Sequence, residues 1–198
     1  MAKRRPVTIA LPLTTPRLSV REFARSDLPL LRAFSDDPRV REFAPIESRA
    51  IAAAERADQP QRGARRSWEL AVIVRRTGKL VGACDLALGA PGEADIGYML
   101  APRHWGHGYA TELATALVAF GLGQLALKRV SAIVAIENDR SRRVLEKAGL
   151  QWEGLLRRHV RAGGRSWDCH RYAIDRAGWA RVLRPAAPSP IIRGVKER

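Results

Sequence analysis

Residues 94–118 constrain the fold more than any other stretch. "ADIGYML" (94–100) is an apolar run that Pro102 ends, and "APRHWGHGYATE" (101–112) follows with Gly106 and Gly108 two positions apart. From Tyr109 onward, Ala110, Leu113, Ala114, Leu117 and Val118 recur at helical spacing. The pattern predicts a strand that passes through a glycine loop straight into an amphipathic helix. The first backbone N–H groups of a helix have no partner within it and sit at the positive end of its dipole. Glycine brings no Cβ, so an anion can approach such groups closely.

Three readings of this loop compete: a phosphate cradle to which Arg103 adds a charged contact, a metal site built on His104 and His107, or a tight turn in a basic surface. The loop is not GxxxxGK[ST], which argues against a nucleotide P-loop. Nor is it GxGxxG with a ribose-binding acid beyond, which argues against a dinucleotide site. His104 and His107 have no third ligand close in sequence, and the chain has only four histidines, so no metal is expected. A bare turn would not require an arginine three residues before Gly106. Taken alone, glycine-x-glycine is a weak signal, and the surrounding elements decide.

"TPRLSVREF" (15–23) alternates like a strand, and Ser26 or Asp27 opens a short helix through Phe34. "IESRAIAAAERAD" (46–58) reads as a second helix, and residues 68–88 as a hairpin about Gly78. After the central strand, loop and helix come a strand at 128–136 and a helix at 138–150, in which Gly149 takes the left-handed closing position. Strands at "GLLRR" and "CHRYAI" follow. The order β-α-α-β-β-β-α-β-α-β-β predicts one α/β domain with a mixed sheet. We divide the chain into a leader at 1–14, the domain at 15–177 and a basic, proline-containing tail at 178–198.

With 46% hydrophobic residues the chain is too apolar for a disordered one, and no run approaches the roughly 20 apolar residues of a membrane span. "MAKRRPVTIALPL" begins like a signal peptide, but Pro6, Thr8 and Pro12 interrupt its apolar part, so a cytoplasmic location is expected. Cys84 and Cys169 lack a redox spacing, and Cys84 reads as core. The net charge of +15, from 35 Lys and Arg against 20 Asp and Glu, favours anionic ligands and disfavours polycations.

"LAPRHWGHGYATE" resembles motif A of the GNAT superfamily of N-acetyltransferases, Q/R-x-x-G-x-G/A after a strand, with Arg103, Gly106 and Gly108 in its fixed positions. "ENDRSRRVLEKAGL" resembles the partner motif, N-x-x-S and a helix ending in K-x-G-F. Asn138, Ser141, Lys147 and Gly149 match it, while Leu150 replaces the aromatic. Together with "TPRLSVREF" and "EGLLRR", these stretches are similar to the Rim-type branch, whose namesakes acetylate ribosomal-protein N-termini. The resemblance covers about residues 15–175. It implies a single GNAT-like α/β domain: a mixed, mostly antiparallel central sheet splayed between two parallel strands, flanked by about four helices.

It also implies the site. Acetyl-coenzyme A would lie between "DIGYML" and "RVSAIVAI", its pyrophosphate on the loop from His104 through Gly106, His107, Gly108 and Tyr109 to Ala110, with Arg103 beside it. The pantetheine arm would pair with the edge of Met99 and Leu100, and a bulge at Leu100 would turn its N–H toward the thioester carbonyl. Asn138 would bind the pantetheine, and Ser141 would protonate the leaving thiolate. Tyr98, Tyr109 and Tyr172 all fall outside the segment where many relatives place an acid, so serine or water is expected in that role. The base is expected at Asp95, where Rim-type relatives often carry glutamate, with Asp85, Glu93 or a water as alternatives. His159, His170 and Trp167 read as surface, packing or wall residues.

The expected acceptor is a primary amine, foremost a protein N-terminus, with a ribosomal protein as one such partner. Small-molecule amines and a sensor that binds acyl-coenzyme A without turnover are the alternatives. Direct nucleic-acid binding is not expected, since neither a helix-turn-helix nor an aromatic RNA-binding signature is present. Relatives are monomers or homodimers, and no feature of the sequence chooses.

Overall fold

The computed structural model describes residues 11–42, 47–58, 65–162 and 165–184. Most of the leader, the tail beyond residue 184 and most of the basic loop near residue 60 lie outside them. The described chain forms one eight-stranded sheet in the order β1-β2-β3-β4-β5-β6-β8-β7. The strands are β1 (Leu13–Thr14), β2 (Leu18–Glu22), β3 (Ser67–Val74), β4 (Lys79–Leu88), β5 (Glu93–Leu100), β6 (Arg129–Ala135), β7 (Gln151–Ala162) and β8 (Arg165–Asp175). The helices are α1 (Leu28–Ser35), α2 (Pro38–Arg41), α3 (Glu47–Glu55), α4 (Tyr109–Ala119), α5 (Asp139–Lys147) and α6 (Arg176–Leu183). The expected strand and helix order is present. The short β1, the single turn of α2 and the eight residues of α6 add to it, and the last two strands form a longer hairpin than their apolar runs suggested.

Strand β3 is buried along five successive residues from Leu70 to Val74, as a strand covered on both faces must be. The sheet divides the core in two. Leu18, Val20, Val72, Val81, Ile96, Leu100 and Val130 meet Leu113, Leu117 and Val118 of α4 and Leu145 of α5 on one face. On the other, Ala71, Ile73, Ala83 and Met99 meet Leu31 and Phe34 of α1, Val40 of α2, and Ala50 and Ala54 of α3. Every neighbouring pair of strands is antiparallel except β5 and β6. That parallel pair holds for three rungs only, Glu93↔Arg129, Ala94↔Val130 and Asp95↔Ser131. Beyond them the two strands part, and a cleft begins there. No helix among the described residues is long and apolar enough to cross a membrane.

Candidate active site

The divergence of β5 from β6 opens a cleft of ≈ 1110 Å³, floored by both strands and walled by the loop before α4, the start of α5 and the β7–β8 hairpin. Peptide groups along a strand point alternately to its two edges. The Ala101 N–H bonds to the Val81 carbonyl of β4 at 2.9 Å, and the Ala94 carbonyl meets the Ser131 hydroxyl of β6. By that alternation Ile96, Tyr98 and Leu100 turn their N–H and C=O groups to the gap, and Met99 turns its own to β4. The Leu100 carbonyl accepts the Trp105 indole N–H at 2.7 Å, which leaves the Leu100 N–H for a ligand. The bulge expected at Leu100 is absent: β4 and β5 pair without a break from Leu88↔Ala94 to Gly82↔Leu100. The gap arises because β6 leaves, not because β5 kinks.

Gly106 and Gly108 both have left-handed backbone, with φ of 78° and 75°, and Gly108 is the residue before the first turn of α4. A Cβ added at Gly106 would meet nothing within 4 Å, so the glycine answers a backbone need and leaves the space above it open. His104, Gly106, Gly108, Tyr109 and Ala110 line the cleft, while Arg103 and His107 do not. Arg103 instead donates to His104 Nε2 at 3.1 Å. Burial, together with the charges of Arg103, His107 and Lys79, holds the His104 imidazole below its usual pKa. His107 Nδ1 is 2.8 Å from the Trp105 carbonyl, and its ring stacks on Tyr109.

The loop also has a clamp that the sequence did not disclose. Arg17 donates to the His107 carbonyl at 2.8 Å, bonds through Nε to Glu112 of α4 at 2.5 Å and lies 4.8 Å over the Tyr109 ring. Thr15 donates to the same Glu112 carboxylate at 2.5 Å. Burial would raise that carboxyl, but the bonds from Thr15 and Arg17 hold it below its ordinary value. The opening "TPR" reads in sequence only as the start of a strand, and its distance from the loop along the chain concealed the contact.

Across the cleft, Asn138 caps α5, its side-chain oxygen accepting the Ser141 N–H at 3.0 Å. The Ser141 hydroxyl is 2.7 Å from the Tyr98 hydroxyl, which also donates to the Ser141 carbonyl at 3.2 Å. Burial pushes the Tyr98 phenol up, and the bond with Ser141 opposes that shift. Tyr98 lies outside the segment in which the resemblance implies an acid, so the sequence alone does not point to it. The Tyr98 phenol reaches from β5 across to the first turn of α5 and so meets the serine.

On the opposite sheet face, Asp85 of β4 pairs in register with Gly97 of β5, where any Cβ would collide with its carboxylate. Burial lifts the Asp85 carboxyl to about 6; Arg49 pulls it down, and Glu69 and Asp95 push it further up. No hydrogen bond occupies it among the described residues. Asp95 also lines the cleft but is exposed, and its Oδ1 accepts the Ser131 hydroxyl at 2.5 Å. Glu93 sits on the first closed rung of β5 and β6, outside the cleft. His159 lines the cleft, whereas His170 accepts the Trp152 indole N–H at 2.9 Å. Trp167 and Cys169 pack with Ala135 under the hairpin. The described residues gather no group of three or more His, Cys, Asp or Glu suited to a metal ion.

A family model described as an acetyltransferase (GNAT) domain matches residues 17–151. A Bacillus licheniformis protein described as the uncharacterized N-acetyltransferase p20 is 31% identical, over 85% of this chain and 98% of its own. Two solved structures from Vibrio cholerae share the fold at a TM-score of 0.69. A putative ribosomal-protein-serine acetyltransferase is 19% identical, over 85% of this chain and 99% of that one. A spermidine N-acetyltransferase, in complex with CoA and spermine, is 21% identical over 84% and 99%.

Proposed function

The chain belongs to the GNAT family of acetyltransferases, and from that premise we propose that it acetylates protein N-terminal α-amines by direct attack within a ternary complex. The observation that carries this reading is the cleft itself, which joins an open glycine loop, an unpaired strand edge, a serine–tyrosine pair and a raised aspartate. Acetyl-coenzyme A, when bound, supplies the activated acetyl thioester. The two left-handed glycines and the N-terminus of α4 suit its diphosphate. The free edge of Tyr98 and Leu100 suits the amides of its pantetheine arm, and the Leu100 N–H is the donor available to the acyl carbonyl. Ser141 holds a proton for the departing thiolate, and Tyr98 fixes its hydroxyl. Asp85 accepts the proton of the amine, directly or through one water. We place the base there rather than at Asp95, because the Asp85 carboxylate has no competing hydrogen bond among the described residues and burial raises it to about 6, whereas Asp95 is bonded to Ser131.

That pKa bears on the acceptor. Passing a proton from an α-ammonium near 8 to a carboxylate near 6 costs about 3 kcal/mol, whereas from a lysine near 10.4 it costs about 6 kcal/mol. A spermidine-like acceptor has only high-pKa amines and would approach a chain of net charge +15.

Thiol release from acetyl-coenzyme A tests the proposal against ribosomal-protein N-terminal peptides, amino acids, aminoglycosides and spermidine. The same assay is run on the Gly106→Val/Gly108→Val double variant. Turnover with the peptides, lost in the variant together with coenzyme A binding, is the expected result. Turnover with spermidine alone would overturn the acceptor, and tight coenzyme A binding without turnover on any amine would favour a sensor. In the same assay Tyr98→Phe and Ser141→Ala should each lower kcat about tenfold, and the double variant no further, as groups acting as a unit do.

A further inference from the structure

Arg171 stands in the cleft without a partner among the described residues. It lies on β8, paired with Ile133 of β6 on one side and Gly154 of β7 on the other, and it lines the same cavity as Asp85. Its Nε is buried and has no hydrogen-bond acceptor. Among the described residues it makes no ion pair. Glu153 of β7 pairs with the Arg129 guanidinium, and Asp168 of β8 accepts the Arg158 N–H. A guanidinium is a fork of donors with no acceptor capacity and matches a carboxylate two-pronged. The buried Nε lies beyond a ligand's reach, whereas the two Nη groups are not buried and make no hydrogen bond among the described residues, so they are the part of the fork open to a carboxylate in the cleft.

The sheet register shows what faces this arginine. Asp85 is opposite Gly97, and Ile133 is opposite Arg171. Asp95 and Ser131 are level across the last closed rung of β5 and β6, so Gly97 and Ile133, two residues on, face each other across the gap. Asp85 and Arg171 therefore share one level and one face of the sheet, on opposite banks of the cleft. Three strand spacings separate their Cα atoms, about 14 Å before the splay is added. Ile133, 39% exposed, forms the floor between them.

Resting on the acetyltransferase reading above, we infer that the acceptor carries a carboxylate that Arg171 receives while its amine lies toward Asp85. The breadth of the cleft suits an amine and a carboxylate several bonds apart, as in a peptide with Asp or Glu among its first residues. A free α-amino acid has both groups on one carbon.

The test compares kcat/KM for matched peptides that differ at positions two and three only (acidic, neutral or lysine-bearing), with free glutamate as a separate arm. Wild type, Arg171→Lys and Arg171→Gln are assayed, and calorimetric binding of each peptide to the protein–coenzyme A complex is measured alongside. The wild type should prefer the acidic peptide about tenfold over the neutral one, the size of one good charge-assisted contact. Arg171→Gln should bring that ratio to about one, and Arg171→Lys should restore part of it. Equal use of acidic and neutral peptides by the wild type, or a preference that survives in Arg171→Gln, overturns the inference and leaves the acetyltransferase reading standing. Binding of the acidic peptide that depends on Arg171 without any turnover keeps the carboxylate site and sinks the reading above it. Glutamate used as well as the peptide would place the carboxylate on a free amino acid. Neither turnover nor binding overturns both.

Discussion

Asp85 bears an opposition between activity and stability. Burial, more than its neighbours, lifts its carboxyl from the ordinary 3.8 to about 6. The folded state thus holds this proton more tightly than the unfolded chain does, so its contribution to stability is complete below pH 4 and is lost as the pH rises through about 6. As a base it works only above that value, and kcat/KM should fall about tenfold per unit below pH 6. Asp85→Asn should therefore cut kcat by about 100-fold while raising Tm at pH 8, since up to about 3 kcal/mol of carboxylate burial is removed. Asp95→Asn, whose wild-type carboxylate is exposed and bonded to Ser131, should change kcat only a few-fold. A pH–rate profile and a melting curve for each variant check both statements. Loss of activity in Asp95→Asn with retention in Asp85→Asn would return the base to Asp95. The sequence put both residues on candidate strands but could not rank them, because the ranking depends on what covers each side chain.

At the level of elements, the sequence read best where one segment contains its own instructions. The apolar run, the two glycines and the helical repeat of α4 are contiguous, and the structure has them in that order. Contacts between distant segments were hidden: Arg17 on the loop, Tyr98 on Ser141, and Arg171 facing across from Asp85. The α5 terminus shows both cases at once. Its closing glycine was legible, and Gly149 is left-handed at φ 90°. Its neighbour was not, for a Cβ there would lie 2.6 Å from Val182 Cγ2 of α6 and 3.3 Å from Ile174 Cδ1. Helix α6 docks on this turn, and its Trp179 packs against the main core. Gly149→Ala should then cost about 1–3 kcal/mol, from backbone strain together with the displaced valine, and lower Tm by several degrees. Adding Val182→Ala should recover the steric share and leave the strain. An unchanged Tm in the single variant would mean that α6 does not pack where it is described.

The whole molecule adds a field to these local devices. Charge was the most legible global property, and its arrangement was the least. Of the 35 Lys and Arg residues behind the excess of 15 positive charges, Arg140, Arg143, Lys147 and Arg171 are residues of the cleft wall, beside Asp85 and Asp95. Arg140 also lies 5.1 Å over the Trp105 ring, which keeps one cation at the mouth of the glycine loop. Acetyl-coenzyme A brings several phosphate charges toward this wall, so attraction should shorten its search at low salt and fade as the screening length falls from about 10 Å at 0.1 M to about 3 Å at 1 M. Its KM should accordingly rise several-fold between 50 and 500 mM NaCl, with kcat changing little, because the chemistry occurs where salt does not reach. An acceptor with an acidic segment should follow the same trend. Spermidine should do the reverse, since screening relieves its repulsion. Initial rates at four salt concentrations, with each substrate varied in turn, separate these slopes. A KM for acetyl-coenzyme A that is flat in salt would show that the basic wall does not meet the phosphates and that the open glycine loop binds its ligand through backbone groups alone.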